Sequence, residues 1–306
     1  MHLLRRSMLA VAEQPRVERL LRRNGFSDRL VKRFIAGEEL DDALDAAKVI
    51  AAQGMTTTLD QLGENVATAE DAGAAAGAYV AILERMAAAG VEPNISIKLT
   101  MLGLDLGDEV ARENVLPILA AARAVSGFVR IDMEGSAYTD RTMRLFAAFH
   151  DDYPDEVGIV VQSYLHRARA DVEAMIARNA RVRLVKGAYA EPAAIAFQKQ
   201  AEVDLNYRWL MELLLEHGRY PAIATHDPAL IEATRTFATG KGIGADRFEF
   251  QMLYGVRRDE QTRLVAQGDR MRVYVPYGTR WYPYFTRRIA ERPANAVFVL
   301  RQLVSG

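Results

Sequence analysis

The chain has 306 residues, half of them apolar and 26% charged, with a formal net charge of −1. This allows a large buried core, and the balance of 39 basic against 40 acidic side chains argues against nucleic acid, which calls for a strongly basic face. The lack of cysteine excludes disulfides, thiolate-bound zinc or iron–sulfur clusters, a thiol nucleophile and a cysteinyl cofactor link, and fits a reducing cytoplasm.

The first segment, MHLLRRSMLAVAEQPRVERL, is basic with a short apolar patch. It lacks the apolar core and small-residue cleavage site of a signal peptide, so it is expected to begin a helix. No apolar run approaches the roughly 20 residues of a membrane span. Apolar residues recur every three or four positions through residues 5–52, punctuated by Asn24-Gly25 and Gly37. Residues 1–52 are therefore expected to form a helical arm, and residues 53–306 the main domain.

From about residue 55 strand-like runs alternate with helical stretches. The runs are MTTTL (55–59), NISIKLT (94–100), FVRIDME (128–134), VGIVVQSY (157–164), VRLVKGAY (182–189), PAIATHD (221–227), FEFQMLY (248–254) and MRVYVPYG (271–278). Amphipathic segments such as 67–89, 109–125, 166–179 and 194–217 lie between them. Eight βα units in roughly 250 residues predict an α/β fold, a (β/α)8 TIM-type barrel. A doubly wound dinucleotide fold needs a glycine-rich turn between a strand and a helix. The one candidate, Gly240-Lys241-Gly242-Ile243-Gly244, follows a helix and precedes a strand, so it is expected to be a loop.

Barrel active sites sit at the C-terminal ends of the strands. Lys98, Asp132, Glu134, Gln162, Arg183, Lys186, Thr225-His226-Asp227 and Tyr274 cluster there. A buried charge without a partner costs several kcal/mol, so this collection points to mutual pairing around a polar site. Any one of these residues is equally well explained as an ion pair within the barrel or a rim residue. Of the histidines, His2, His150, His166 and His217 are expected on helix surfaces or ends, in solvent, whereas His226 closes a strand. No HExxH and no paired His on one strand appears, so a metal site has little support, and no GxSxG elbow or P-loop appears either. In TRWYPYFTRRIAER (279–292), Tyr284, Arg287, Arg288 and Glu291 recur at helical spacing beside Trp281 and Tyr282. Paired guanidiniums among aromatics suit a small carboxylate, although a solvated charged face is the commoner meaning of such a helix.

Taken together, ISIKLTMLG, VRIDMEGS, VQSYL, RLVKGAY, ATHD, FQMLYG, VYVPYG and YFTRRIAERPAN, in order over residues 94–296, resemble the proline dehydrogenase family. TLDQLGE (58–64) and the helical arm are similar to its single-activity bacterial members. The resemblance implies oxidation of L-proline to 1-pyrroline-5-carboxylate, using non-covalent FAD at the barrel mouth and passing electrons to a membrane quinone. It implies that Arg183 lies near the reactive flavin nitrogen, and that Met133, Gln162, Lys186, Gly187, Ala188, Thr225 and His226 contact FAD. It further implies that Arg287 and Arg288 bind the proline carboxylate with Lys98 nearby. Tyr189, Tyr274 and Tyr284 would wall the ring, Leu184 would add apolar contact, and Asp132 would brace the network. Residues 279–283 are shorter than in bifunctional relatives, and Ala190 stands where those relatives tend to have an aromatic. Nothing resembles their aldehyde dehydrogenase domain, so a separate 1-pyrroline-5-carboxylate/glutamate semialdehyde dehydrogenase is expected to take the product.

Hydride loss is easiest from the neutral amine, and positive charge from Lys98, Arg183 and the arginine pair is expected to favour that form. Asp132 is expected to position rather than to act as base, the base role being the alternative. The amphipathic first helix, with Arg5, Arg6, Arg16, Arg22 and Arg23, is expected either to meet anionic lipid at the inner face of the membrane or simply to cover the barrel. Two other readings compete: an aldolase-type barrel with a Schiff base on Lys98 or Lys186, and a non-catalytic anion-binding barrel.

Overall fold

The computed structural model describes residues 33–290, with the side chains of residues 33–285. Eight parallel strands close into a barrel in sequence order. They are β1 (Thr56–Gln61), β2 (Asn94–Ile97), β3 (Phe128–Ile131), β4 (Val157–Gln162), β5 (Arg181–Val185), β6 (Ala222–Ala224), β7 (Glu249–Leu253) and β8 (Met271–Tyr277). β1 pairs with β8 from Thr56↔Arg272 to Gln61↔Tyr277, which closes the cylinder. The helices are α1 (Leu40–Ala51), α2 (Ala69–Ala88), α3 (Asp108–Ala124), α4 (Ser136–Asp152), α5 (Ala168–Ala177), α6 (Gln200–His217), α7 (Pro228–Gly240), α8 (Arg258–Ala266) and α9 (Trp281–Ala290). The barrel expectation holds strand by strand, and the 240–244 glycines lie between α7 and β7 as a loop.

Local chemistry sets the helix starts. The Thr68 side chain accepts from the Asp71 amide ahead of α2, and Asp227 accepts from Ala229 with Pro228 at the first turn of α7. α1 buries Ala43, Leu44, Ala47 and Ile50 in the main core against β1 and β8. The C-terminal end of the expected arm is thus continuous with the barrel; residues 1–32, including Arg5, Arg6, Arg16, Arg22 and Arg23, lie outside the described residues. Because α1 occupies the flank beside β8, α9 packs elsewhere. Its Trp281, Tyr282, Tyr284 and Phe285 form a separate cluster with Ile35 and Leu62, next to the exit of β1.

Alternation along the strands sends Val129, Ile131, Val182, Leu184, Ile223, Phe250, Val273 and Val275 into the apolar layer under the helices. The opposite phase points inward, and it is polar: Thr58, Asn94, Ser96, Arg130, Arg183, Glu249, Gln251 and Arg272 are all buried there. Barrel interiors of this class are usually filled by branched apolar residues. Gly158 makes part of this possible, because a Cβ at that position would lie 2.5 Å from Nη1 of Arg130.

Two expectations are corrected. Leu184 is fully buried in the main core and alternates with inward-pointing Arg183, so it faces the helices and not the barrel mouth. His150 is buried as well, packed 5.4 Å from the Phe146 ring, because it continues the apolar stripe of α4 one turn beyond Phe146. His166 and His217 are exposed as expected, and His2 lies outside the described residues.

Candidate active site

The strands end earlier than the sequence runs indicate, which places the polar residues on the loops just above them. Lys98 is the first residue after β2, Asp132 follows β3, Lys186 follows β5, and Thr225-His226 follow β6. Arg183 and Tyr274 remain within β5 and β8 and point up the interior.

These side chains meet in one network. Arg183 Nη1 donates to Asp132 Oδ1 at 2.8 Å and to Ser96 Oγ at 3.0 Å. Tyr274 Oη donates to the other Asp132 oxygen at 2.9 Å, and the Arg183 guanidinium lies 5.2 Å from the Tyr274 ring centroid. Lys98 Nζ donates to Asp60 Oδ1 at 2.8 Å and stands 3.7 Å from Asp132 Oδ2. Burial opposes the charge on Lys98, but Asp60 and Asp132 outweigh it and hold the ammonium well above its ordinary pKa. Burial raises the pKa of Asp60 despite Lys98. Burial also raises that of the Tyr274 phenol, with Asp132 and Asp60 adding to the effect; Tyr284 contributes too, which places α9 close to this network.

Two cations here face two carboxylates, so the cationic excess expected from the sequence is absent among the described side chains. Positions 287 and 288 fall one helical turn beyond Tyr284 on α9, but the Arg287 and Arg288 side chains lie outside the description.

A second set lies between β3 and β7. Gln162 Nε2 donates to the Glu134 carbonyl at 2.9 Å. Lys186 Nζ contacts Asp204 at 2.6 Å and Asp227 at 2.8 Å, and those bonds overcome burial and raise its pKa. The Leu253 amide donates to His226 Nε2 at 2.9 Å, so in the neutral ring Nδ1 carries the proton and is the donor. Thr225 Oγ1 accepts from the Asp227 amide at 3.1 Å. Gly187 has φ +116°, and a Cβ there would lie 2.2 Å from the Tyr164 ring, so only glycine fits the turn after β5. Ala188 is exposed and Tyr189 half-buried on the same loop, while Met133 is buried in the main core beside Asp132. An open cavity of about 750 Å³ adjoins His226, with Arg33, Arg257, Arg258 and Asp259 in its wall.

The structure thus gathers Lys98, Asp132, Arg183 and Tyr274 in one network, with Tyr284 close by. It places Gln162, Lys186, Thr225 and His226 alongside, and excludes Leu184. Sequence reasoning missed Asp60, Ser96 and Gln251. The signal was available: Thr56, Thr58 and Asp60, like Glu249 and Gln251, recur at every second position in parallel strands, where both faces are usually apolar.

The family model described as Proline dehydrogenase matches residues 43–301. Proline dehydrogenase of Deinococcus radiodurans is 41% identical over 308 residues, covering 99% of each chain. Proline dehydrogenase 1 of Bacillus subtilis strain 168 is 40% identical over 273 residues, covering 89% of this chain and 90% of that one. Among solved structures, proline utilization A from Bdellovibrio bacteriovorus superposes with a TM-score of 0.81 at 27% identity, over 87% of this chain and 33% of the larger one. The chain therefore belongs to the proline dehydrogenase family, oxidoreductases that act on the CH–NH group of proline in the first step of its degradation.

Proposed function

We propose that this enzyme binds FAD non-covalently, oxidises L-proline to 1-pyrroline-5-carboxylate and passes the electrons to a quinone. The observation that carries the reading is the Asp132 carboxylate clamped by Arg183 and Tyr274 beside Lys98, at the barrel mouth and next to the start of α9.

The residues present suit an anionic dinucleotide. Gln162, Lys186, Thr225 and His226 supply donors along one side of the mouth, and the adjoining cavity is lined by three arginines against one aspartate. Lys186 has one ammonium hydrogen beyond the two directed at Asp204 and Asp227. Met133, Gln162, Lys186, Gly187, Ala188, Thr225 and His226 would hold FAD, with Arg183 near its reactive end. When bound, FAD supplies the hydride acceptor.

The chain's own residues do the rest. Arg287 and Arg288 clamp the proline carboxylate, and Tyr189, Tyr274 and Tyr284 wall the ring, which fixes the reacting carbon in attack geometry. Both Asp132 oxygens already accept hydrogen bonds, so Asp132 braces Arg183 and Tyr274 and is not assigned as the base. Arg183 offers positive charge where negative charge develops. The reacting nitrogen must be neutral; with Lys98 and Arg183 balanced by Asp60 and Asp132, the positive potential that favours this form rests on Arg287 and Arg288. The Schiff-base reading loses support, because Lys98 and Lys186 are both held as ammonium groups.

Among the described residues no helix is long and apolar enough to cross a membrane. Contact with a membrane quinone is therefore proposed as peripheral, through the residue 1–32 segment. A separate dehydrogenase for 1-pyrroline-5-carboxylate or glutamate semialdehyde is proposed to take the product; the Escherichia coli relative that matches here at 28% identity is named a bifunctional protein. The test is to denature purified yellow protein and identify the released flavin, then supply proline with a soluble quinone analogue or with NAD. Released FAD and quinone reduction are expected. Efficient NAD reduction or no released flavin would reject the proposal.

A further inference from the structure

The inward phase of β7 and β8 places Glu249, Gln251 and Arg272 inside the barrel with Arg183, and all four side chains are buried. Gln251 Oε1 accepts from Arg183 Nε at 2.6 Å, while Gln251 Nε2 donates to Glu249 Oε1 at 2.5 Å. The same Glu249 oxygen accepts from Arg272 Nε at 2.9 Å. Arg272 is fixed in turn by the Thr57 carbonyl at 2.8 Å and by Glu92 at 2.9 Å.

A glutamine side chain can present either end of its amide. Here the choice is forced. Burial opposes ionisation of Glu249, but Arg272 outweighs it and holds the carboxyl below its ordinary range, so Glu249 can only accept. It takes the NH2 end of Gln251 and turns the carbonyl end toward Arg183. Arg183 has five N–H donors. Nε is engaged by Gln251, and Nη1 by Ser96 and Asp132. Three contacts, from β2, β7 and the residue after β3, fix the plane of the guanidinium and leave Nη2 with no acceptor among the described residues.

We propose that Gln251 is a positioning residue for Arg183: anchored through Glu249 to Arg272, it sets the guanidinium plane so that the Nη2 edge is presented to the reacting pair. The proposal rests on the reading above that Arg183 acts at the reactive end of the cofactor. Gln251 itself touches neither substrate nor cofactor. Its effect passes through Arg183, and this separates it from a residue that merely fills the barrel.

The variants are Gln251→Met, which keeps the volume and removes the acceptor, and Glu249→Gln, which keeps the shape and frees the amide to turn. In wild type, the Arg183 Nε–H should give a slowly exchanging nitrogen-15 signal in the protein without proline, and Gln251→Met should lose it. In the holoenzyme, Gln251→Met should slow flavin reduction at saturating proline about tenfold, as expected for a misplaced group near the chemistry. It should lower the flavin midpoint potential and leave the dissociation constant for proline within about twofold. Glu249→Gln should change the same observables in the same direction by less. The decisive step is the cycle with Arg183→Lys, which has no Nε fork: in that background Gln251→Met should add nothing. Additive effects, or an unchanged potential and Nε–H signal in a folded Gln251→Met, would overturn the proposal. Should Gln251→Met fail to fold, the Glu249→Gln cycle is read by the same criteria. If Arg183→Lys and Arg183→Ala both react at the wild-type rate, the failure lies in the role given to Arg183 and not in Gln251.

Discussion

The lower and upper halves of the barrel interior use the same residue types to different ends. In the lower half, Arg272 reaches Glu249, Glu92 and the Thr57 carbonyl. Arg130 donates to the Ile159 and Arg181 carbonyls, and the Arg181 guanidinium lies 4.1 Å from the Phe128 ring centroid and 4.9 Å from that of Tyr220. A cavity of about 520 Å³ opens below, walled by arginines and by Glu92 and Glu249. In the upper half, Lys98, Arg183 and Tyr274 converge on the carboxylates of Asp60 and Asp132, and Arg183 retains two unused donors. The lower arginines are held by main-chain carbonyls, carboxylates and ring faces, although the Nε groups of Arg130 and Arg181 are buried without a partner, so unused donors alone do not mark a site. The upper half is set apart by the convergence of three side chains on two carboxylates at the mouth.

The sharpest break in this comparison is Arg272→Met. It strands Glu249 in the lower half without its guanidinium and should cost about 3–5 kcal/mol of stability. Chemical denaturation measures this, and a loss below about 1 kcal/mol would mean the lower half is not held by this pair. Arg183→Ala is the counterpart above. It should reduce the limiting rate of flavin reduction by about 10²–10³, more than it raises the proline Michaelis constant, because the charge acts as negative charge develops. Stopped-flow reduction at saturating proline decides it.

Arg287→Met and Arg288→Met probe the cations proposed above to tip the balance of the upper half. Each should weaken proline binding by roughly 1.5–3 kcal/mol, or tenfold to over a hundredfold, with little change in FAD affinity. An unchanged Michaelis constant in both variants contradicts the clamp.

Tyr274→Ser should be milder. As part of the proposed wall of the proline ring, the phenol is proposed to face the carbon that bears the hydroxyl in 4-hydroxyproline, where an added hydroxyl would lose water without a guaranteed partner at about 1–3 kcal/mol. Wild type should prefer proline by one to two orders of magnitude, and the variant should narrow that ratio while losing activity on proline. The kcat/KM values of both substrates with both proteins settle it; an unchanged ratio removes Tyr274 as the gate.

The smallest effect is expected at His150, in the helical layer. Burial, then Arg178 and Arg219, lower its pKa from 6.5. The folded ring stays neutral while the unfolded chain takes up a proton, so stability is complete above pH 6.5 and declines as pH falls from there toward the folded pKa. His150→Phe should flatten this part of the profile, which for one group has a slope of at most about 1.4 kcal/mol per pH unit. A slope identical to wild type would show that His150 titrates alike in both states.

The barrel was legible because each strand run carries its own turn and helix signals. Lys98, Arg183, Lys186 and Tyr274 were legible as candidates because they are charged or polar side chains in otherwise apolar strand runs. Asp60 and Gln251 were not picked out, since each looks like an ordinary polar residue until period-2 phasing puts it inside the cylinder. Leu184 was misassigned for the same reason: adjacency to Arg183 in sequence means opposition across the sheet. The pairing of Lys98 with Asp60 joins positions 38 residues apart, and the parallel pairing of β1 with β2, which sets Asp60 opposite Ser96, brings them together.

The central claim is that the mouth of this barrel takes a hydride from proline. Anaerobic titration of the holoprotein with L-proline, following the flavin absorbance and trapping 1-pyrroline-5-carboxylate, tests it most directly. The account predicts complete bleaching with one equivalent of product per flavin and no need for NAD. A flavin band that persists at saturating proline, or bleaching without the pyrroline product, would contradict it.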